Sequence, residues 1–164
     1  MAPIDPQLME IIQALQDGQA QLQQSHAQLE QAINQVNTRL DATIRVVSAR
    51  AFNRSIKRNM LLVDFEVLPK QHAGHPFVDP PDVPGLNLNP VCQVGDNPPH
   101  GLVPRNFQEW YEALAQLQRD LPISLSRLRA IFWFYNDARL FIAPNATALI
   151  CDQGWFNVRR YLKK

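Results

Sequence analysis

Residues 8–47 read LMEIIQALQDGQAQLQQSHAQLEQAINQVNTRLDATIRVV and contain the most regular pattern of the chain. Two series of positions each recur every seven residues, the second four residues after the first, and nine of their twelve positions are aliphatic. The first series is Leu8, Leu15, Leu22, Leu29, Val36 and Thr43, and the second is Ile12, Gln19, His26, Ile33, Leu40 and Val47. This spacing predicts a coiled coil, because a helix packed on a globular core drifts toward a 3.6-residue period.

The residue types in the two series predict how the helices pair. Leucine in the first series (heptad position d) with isoleucine or valine in the second (position a) favours two parallel helices, and polar Gln19 and His26 would fix their register. The flanking positions are mostly uncharged, so they give little basis for selecting a different partner. We therefore expect self-association as a parallel dimer, with a higher oligomer or a hairpin as open alternatives.

The ends of this helix are also marked in the sequence. Pro3 and Pro6 suit a helix start, with Asp5 as a candidate N-cap, and no proline follows until Pro69. At 1.5 Å per residue, residues 7–53 would extend for roughly 70 Å.

Composition limits the broad class of the protein. The chain has 164 residues and a formal charge of +1, and it contains only two cysteines, Cys92 and Cys151. No run of 18 apolar residues is present, so we expect no transmembrane segment. The first residues resemble neither a signal peptide nor a typical mitochondrial presequence. We expect an intracellular protein with reduced thiols, cytoplasmic or nuclear, with mitochondria as an open alternative.

The near-neutral total charge hides a basic segment at residues 42–58. It contains five cations and no acid, namely Arg45, Arg50, Arg54, Lys57 and Arg58. On a helix these side chains could contact phosphates, which makes them the candidate polyanion-binding residues for RNA or DNA. The favoured interpretation is structural: the cations complement the helix dipole and pair with Glu66, Asp79 or Asp82. An anionic membrane surface is a third alternative.

The middle of the chain, residues 57–104, combines one predicted strand with a proline-rich segment. Residues 60–68 are apolar except for Asp64 and Glu66, and the alternation from Val63 to Val67 predicts a β-strand over this stretch. Residues 69–104 contain paired prolines and show little periodicity, and they include the apolar residues Phe77, Val78, Leu86, Leu88, Val91 and Val94. This segment is too apolar for a plain disordered linker, so we expect it to lie on the helices.

Residues 105–164 predict a small helical module. Asn106 with Glu109 forms a capping box for a helix that ends near Pro122, and a second helix covers about residues 124–135. Residues 140–142 predict a short strand or a helix end, and a last helix runs from about Asn145 to Leu162. Trp133 and Phe134 lie off the apolar face of the second helix, which favours a dimer interface over an exposed recognition patch.

Candidate chemistry is sparse. His72, His75, Cys92 and His100 are of zinc-ligand type, but their spacing matches no short-spaced zinc signature. No nucleophile elbow, phosphate loop or HExxH motif is present, and Cys151 in Ala-Leu-Ile-Cys has the context of a buried residue. We therefore expect no catalytic residues, no metal, no cofactor and no enzymatic activity.

Together these patterns predict a mainly α protein with three parts. They are a coiled-coil helix at residues 7–56, a strand with a proline-rich segment at 57–104, and a helical module at 105–164. The expected function is that of a homo-oligomeric interaction or scaffold protein with an unidentified protein partner. Polyanion binding by residues 45–58 is the alternative.

The order of several short motifs resembles a group of small, mostly uncharacterised coiled-coil proteins of fungi and oomycetes. The heptad helix is followed by Arg50-Ala51-Phe52-Asn53-Arg54-Ser55, Val67-Leu68-Pro69-Lys70, Pro104-Arg105-Asn106-Phe107 and Arg159-Arg160-Tyr161-Leu162. The segment from Asn87 to Pro99 is longer than the family pattern. Some members are named as mitochondrial ribosomal proteins. The resemblance implies an intracellular eukaryotic oligomer, and it transfers no activity and no site residues.

Overall fold

The structure is a computed structural model that describes residues 5–164 and is mainly helical. Its four α-helices are α1 (Pro6–Ser55), α2 (Phe107–Arg119), α3 (Leu121–Tyr135) and α4 (Ala148–Lys163). The chain divides into two compact units, Met1–Thr38 and Arg39–Lys164. The end of α1, the proline-rich segment and the three later helices therefore belong to one unit.

The first unit consists of the long N-terminal part of α1. The Asp5 carboxylate accepts a hydrogen bond of 3.0 Å from the backbone N–H of Gln7, so the predicted N-cap is confirmed. Every residue of this unit from residue 5 onward is exposed, except for half-exposed Gly18. No residue of the described part of this unit covers its apolar side chains.

Within the second unit, the last part of α1 has two apolar faces. Ala42, Val46, Ala49 and Asn53 are buried, and their spacing places them on one stripe of the helix. This stripe packs into the core, whereas Leu40 and Val47 remain exposed. The heptad face and the core-facing stripe are therefore different sides of the same helix.

The core of the second unit forms around α2, α3 and α4. The N-cap of α2 is Asn106, whose side-chain oxygen accepts a 3.0 Å hydrogen bond from Glu109 N–H, as predicted. Glu109 completes a variant of the capping box, because its carboxylate accepts from the N–H of Arg105 instead of Asn106. The rings of Trp110 and Trp155 meet edge to face at 5.7 Å and join α2 to α4.

The strand predicted at residues 60–68 is wrong, and the described residues contain no β-strand. Leu61 and Leu62 form a turn, and the backbone groups of the segment bond to three separate places. Phe65 N–H donates to Arg105 C=O, Glu66 N–H donates to the Asn53 side chain, and Leu61 C=O accepts from Gln108 N–H. These partners satisfy the backbone without a ladder, so the apolar alternation serves packing alone.

The proline-rich segment packs on α3, as the sequence predicts. The indole N–H of Trp133 donates to the Phe77 carbonyl at 2.9 Å, and Tyr135 Oη donates to the Leu68 carbonyl at 2.9 Å. Trp133 and Phe134 are buried by this coverage. The dimer interface predicted for these two side chains is therefore wrong, because the same chain supplies the cover that a second copy was expected to supply.

The last part of the chain is a short 3-10 helix followed by α4. Ala138–Leu140 form the 3-10 helix, so the predicted strand alternative at residues 140–142 is not observed. Helix α4 begins at Ala148, three residues later than predicted, with Thr147 as its N-cap. Gly154 lies where α4 approaches α3: a Cβ there would be 3.1 Å from methyl carbons of Leu128 and Ile142. Close packing explains this helical glycine.

Candidate functional site

The predicted oligomerisation face of α1 is exposed. Its nine aliphatic side chains retain between 41% (Ile12) and 73% (Leu22) of their accessible surface. The other seven are Leu8, Leu15, Leu29, Ile33, Val36, Leu40 and Val47. We call these nine residues the heptad seam. A row of aliphatic side chains in one register, each with at least 41% of its surface exposed, is the kind of apolar patch that often marks an interaction site.

Three polar residues, Gln19, His26 and Thr43, occupy the remaining heptad positions between Leu8 and Val47. Gln19 and His26 are both exposed, and the imidazole Nδ1 of His26 lies 3.3 Å from the Glu30 carboxylate one turn later. The next positions in the pattern, Arg50 and Arg54, are charged and belong to the second unit. The aliphatic register therefore ends at Val47.

The five predicted polyanion-binding cations do not form one ladder. Arg45 donates to the Gly95 carbonyl at 3.1 Å and to the Asn97 side chain at 2.7 Å. Arg54 donates to the carbonyls of Lys163 and Lys164, at 2.7 and 3.1 Å. Two of the five cations are thus used to hold parts of the fold together.

The ion pairs predicted between these cations and Glu66, Asp79 or Asp82 are wrong. The ion pairs formed by the described residues involve His26, His72, Arg105 and Arg139, and none contains Glu66, Asp79 or Asp82. The partners are carbonyl oxygens at chain turns and at a helix end. Such oxygens attract guanidinium groups strongly because they lack backbone donors.

Arg50 packs differently from its neighbours. Its guanidinium carbon lies 5.1 Å from the centre of the Tyr161 ring, and its Nε and Nη2 atoms are buried without a hydrogen-bond partner among the described residues. Burial lowers the pKa of Arg50, and burial raises the pKa of Tyr161 to about 12. Only Lys57 and Arg58 of the five cations are both exposed and without a hydrogen bond among the described residues.

The ends of α1 and α4 cap each other, a relationship that sequence reasoning missed. Arg54 from α1 donates to the last carbonyls of α4, while Lys163 Nζ from α4 donates to the Ile56 carbonyl at 2.7 Å. Cations at both helix ends are the only sequence signal for it.

The histidine and cysteine candidates are only partly brought together. His75 is stacked on Trp133 with ring centres 3.7 Å apart, and its two nitrogens lie 3.0 and 3.2 Å from the carbonyls of Trp133 and Pro90. The Cys92 Sγ lies 3.5 Å from His75 Nε2. Across residues 5–164, no three metal-ligating side chains are grouped so that they could hold an ion. His75 holds the proline-rich segment on α3.

Lys70 is a buried cation that sequence reasoning did not identify as a candidate functional residue. Its ammonium donates to the Phe134 carbonyl and lies 5.3 Å from the centre of the Phe134 ring. Burial lowers the pKa of Lys70. The charges of Cys92 and Asp96 raise this pKa, but they only partly oppose the effect of burial. No acid forms an ion pair with it among the described residues.

Asp137 is the most strongly paired acid of the second unit. Its carboxylate accepts hydrogen bonds from Arg139 Nε at 2.9 Å and Arg139 Nη2 at 2.5 Å, and His72 lies 3.4 Å away. The hydrogen bonds from Arg139 lower the pKa of Asp137 to about 2. The pair fixes the turn between α3 and the 3-10 helix.

A cleft of about 620 Å³ is lined by Arg105, Glu109, Ser124 and Arg127, among others. Burial tends to raise the pKa of Glu109, but hydrogen bonds from Arg105 outweigh it and the pKa is lowered. The Ser124 hydroxyl accepts a hydrogen bond from Trp155 Nε1 at 2.9 Å. Arg105 and Glu109 thus pair with each other at the start of α2, and the Ser124–Trp155 hydrogen bond joins α3 to α4.

None of the helices in the described residues combines the length and apolarity of a membrane span. Comparison of the chain with family models, with curated proteins and with solved structures gave no significant match.

Proposed function

We propose that the protein is a homo-oligomeric scaffold whose heptad seam pairs two copies as a parallel coiled coil. The observation that carries the proposal is the exposure of nine aliphatic side chains in a single heptad register, from Leu8 to Val47. The resemblance to small coiled-coil proteins supports the same proposal.

A second copy is the occupant that best fits the heptad seam. The seam is complementary to itself, because leucines occupy most d positions and isoleucine or valine occupies several a positions. Gln19 and His26 would each face their own counterpart only in a parallel, in-register pair. The uncharged residues beside the seam supply no charge pattern for a different partner.

The energetics also favour association. Most of the stability of a helix in a protein comes from packing of its apolar face rather than from helix propensity. Complete burial of a leucine or isoleucine side chain contributes about 1.5–3 kcal/mol. With nine such residues on each chain, the gross gain is large enough to offset the association cost of roughly 4–15 kcal/mol.

The proposed role is structural rather than chemical. Pairing through α1 would produce an assembly with two copies of the unit Arg39–Lys164, each available to a protein partner. Two linked copies bind a divalent target more tightly than one copy does, without any new contact.

A disulfide test distinguishes the parallel pair from its alternatives. Leu22→Cys places a thiol in the heptad seam, where equivalent residues of a parallel dimer lie within disulfide range. Gln24→Cys, on the opposite side of the helix, is the matched control. We expect mild oxidation to link the Leu22→Cys chains and not the Gln24→Cys chains. Equal linking of both variants, or of neither, would contradict the proposal.

A further inference from the structure

Two distant parts of the sequence form one basic surface in the second unit. The end of α1 and the end of α4 are joined by the reciprocal capping of Arg54 and Lys163, and Asn53 adds a 3.1 Å hydrogen bond to the Leu162 carbonyl. These contacts bring the cations that follow α1 beside those of α4. The basic surface consists of Lys57, Arg58, Arg159, Arg160 and Lys164.

The cations of the basic surface exceed what helix capping needs. Arg54 and Lys163 already occupy the carbonyls at the two helix ends. The side chains of the five surface cations form no hydrogen bond or ion pair with the described residues. Two shallow depressions on this face, of about 560 and 430 Å³, are lined by cations, amides and aromatic rings without an Asp or Glu side chain.

The cations are close enough to repel one another. Burial lowers the pKa of Arg159, and the charge of Arg58 lowers it further. Burial also lowers the pKa of Lys163, with additional lowering by Arg159 and Arg58. Like charges held together without acids create a field that attracts a polyanion.

Exposed aromatic rings border the same surface. Phe156 is 39% exposed, and the Arg159 guanidinium carbon lies 5.0 Å from the centre of its ring. Tyr111, 47% exposed, is near enough to influence the pKa of Arg159. Proteins that bind single-stranded nucleic acid typically place cations along the phosphate backbone, next to aromatic rings on which the bases stack.

We propose that the basic surface binds single-stranded nucleic acid, with its cations on the phosphates and with Phe156 and Tyr111 as stacking positions. The binding residues thus differ from the continuous segment 45–58, because Arg45, Arg50 and Arg54 are used within the fold. The proposal does not depend on the coiled coil. Pairing would only present the surface twice.

The test is the salt dependence of binding to labelled single-stranded poly(U) RNA of about 20 nucleotides, measured by fluorescence anisotropy with the full chain. If all five cations contact phosphates, the slope of log K against log salt is about −3.5, since each contact contributes about −0.7. Arg58→Gln combined with Arg160→Gln should weaken binding roughly tenfold near 0.1 M salt and reduce the slope by about 1.4.

Arg39→Gln combined with Arg119→Gln is the matched control, because it removes the same charge elsewhere. Arg39 lies about 24 Å before the end of α1. Arg119 is the last residue of α2, whereas Phe107, whose ring faces Lys163, is the first residue of that helix. We expect this variant to bind like the wild type. A flat salt response of the wild type, or equal weakening by both variants, would overturn the proposal. So would binding to phosphatidylserine vesicles without binding to RNA.

Discussion

The side-chain amide of Asn53 donates a 3.1 Å hydrogen bond to the carbonyl of Leu162, more than a hundred residues later in the chain. The same side chain donates to the Glu66 carbonyl at 3.0 Å and accepts from the Glu66 N–H at 2.7 Å. Asn53 is completely buried. One amide therefore ties the end of α1 both to residues 60–68 and to the end of α4.

Replacement of Asn53 should weaken this junction. Asn53→Ala leaves the N–H and C=O of Glu66 and the C=O of Leu162 without that partner, and unsatisfied buried groups of this kind cost about 1–3 kcal/mol. The free energy of unfolding, measured by urea titration with tryptophan fluorescence, should fall by about 2 kcal/mol or more. Asn37→Ala, at an exposed position of α1, is the control and should not decrease it. Equal effects would show that the junction is unimportant.

Gly154 and Gly18 should respond oppositely to a side chain. Gly154→Val introduces a Cβ 3.1 Å from Leu128 and Ile142 methyl carbons, and overpacking of this kind costs about 1–3 kcal/mol despite the better helix propensity of valine. Gly18→Ala meets nothing within 4 Å and should stabilise α1 by up to about 1 kcal/mol. Thermal unfolding of the two variants checks this. Stabilisation by Gly154→Val would show that α3 and α4 are not in close contact there.

Asp137 should make stability depend on pH in the acid range. Because hydrogen bonds from Arg139 lower its pKa from 3.8 to about 2, the folded state favours the ionised carboxylate. This stabilisation is complete above about pH 4 and is lost as the pH falls through about 2. The stability difference between wild type and Asp137→Asn should shrink over that window in urea titrations. Asp152→Asn is the control, and a difference that stays constant with pH would contradict the account.

Lys70 should also make stability rise with pH, in this case in the alkaline range. Burial lowers its pKa below 10.5, so the unfolded chain binds more protons than the folded chain between the lowered value and 10.5. Stability of the wild type, relative to Lys70→Met, should therefore rise as the pH increases toward 10.5. Urea titrations of both proteins at neutral and alkaline pH measure this. A relative stability that falls with pH would show that the buried ammonium is better stabilised than the structure indicates.

The long helix and the later helices could be predicted from sequence because each is encoded locally. The heptad spacing from Leu8 to Val47, the Asn106 cap and the apolar face around Trp110 depend on residues a few positions apart. The predicted strand failed for the opposite reason. Alternation at residues 60–68 indicates two faces, but whether a second strand pairs with it depends on distant parts of the chain.

The functional residues were predicted less completely. Sequence order identified the cations near the end of α1, but their partners Gly95, Asn97 and Lys163 are 50 or more residues away. For the same reason the basic surface was missed, since its other half comes from α4. Lys70 and the coverage of Trp133 by the proline-rich segment likewise depend on packing that no local pattern encodes.

The mass of the full chain in solution, measured by light scattering, tests the central claim most directly. We expect twice the 18.7 kDa of one chain for the wild type. Leu22→Lys combined with Leu29→Lys, which places charges in the heptad seam, should give the mass of one chain. Gln24→Lys combined with Gln31→Lys, with the same added charge on the opposite side of the helix, should remain double. A wild type with the mass of a single chain would contradict the account.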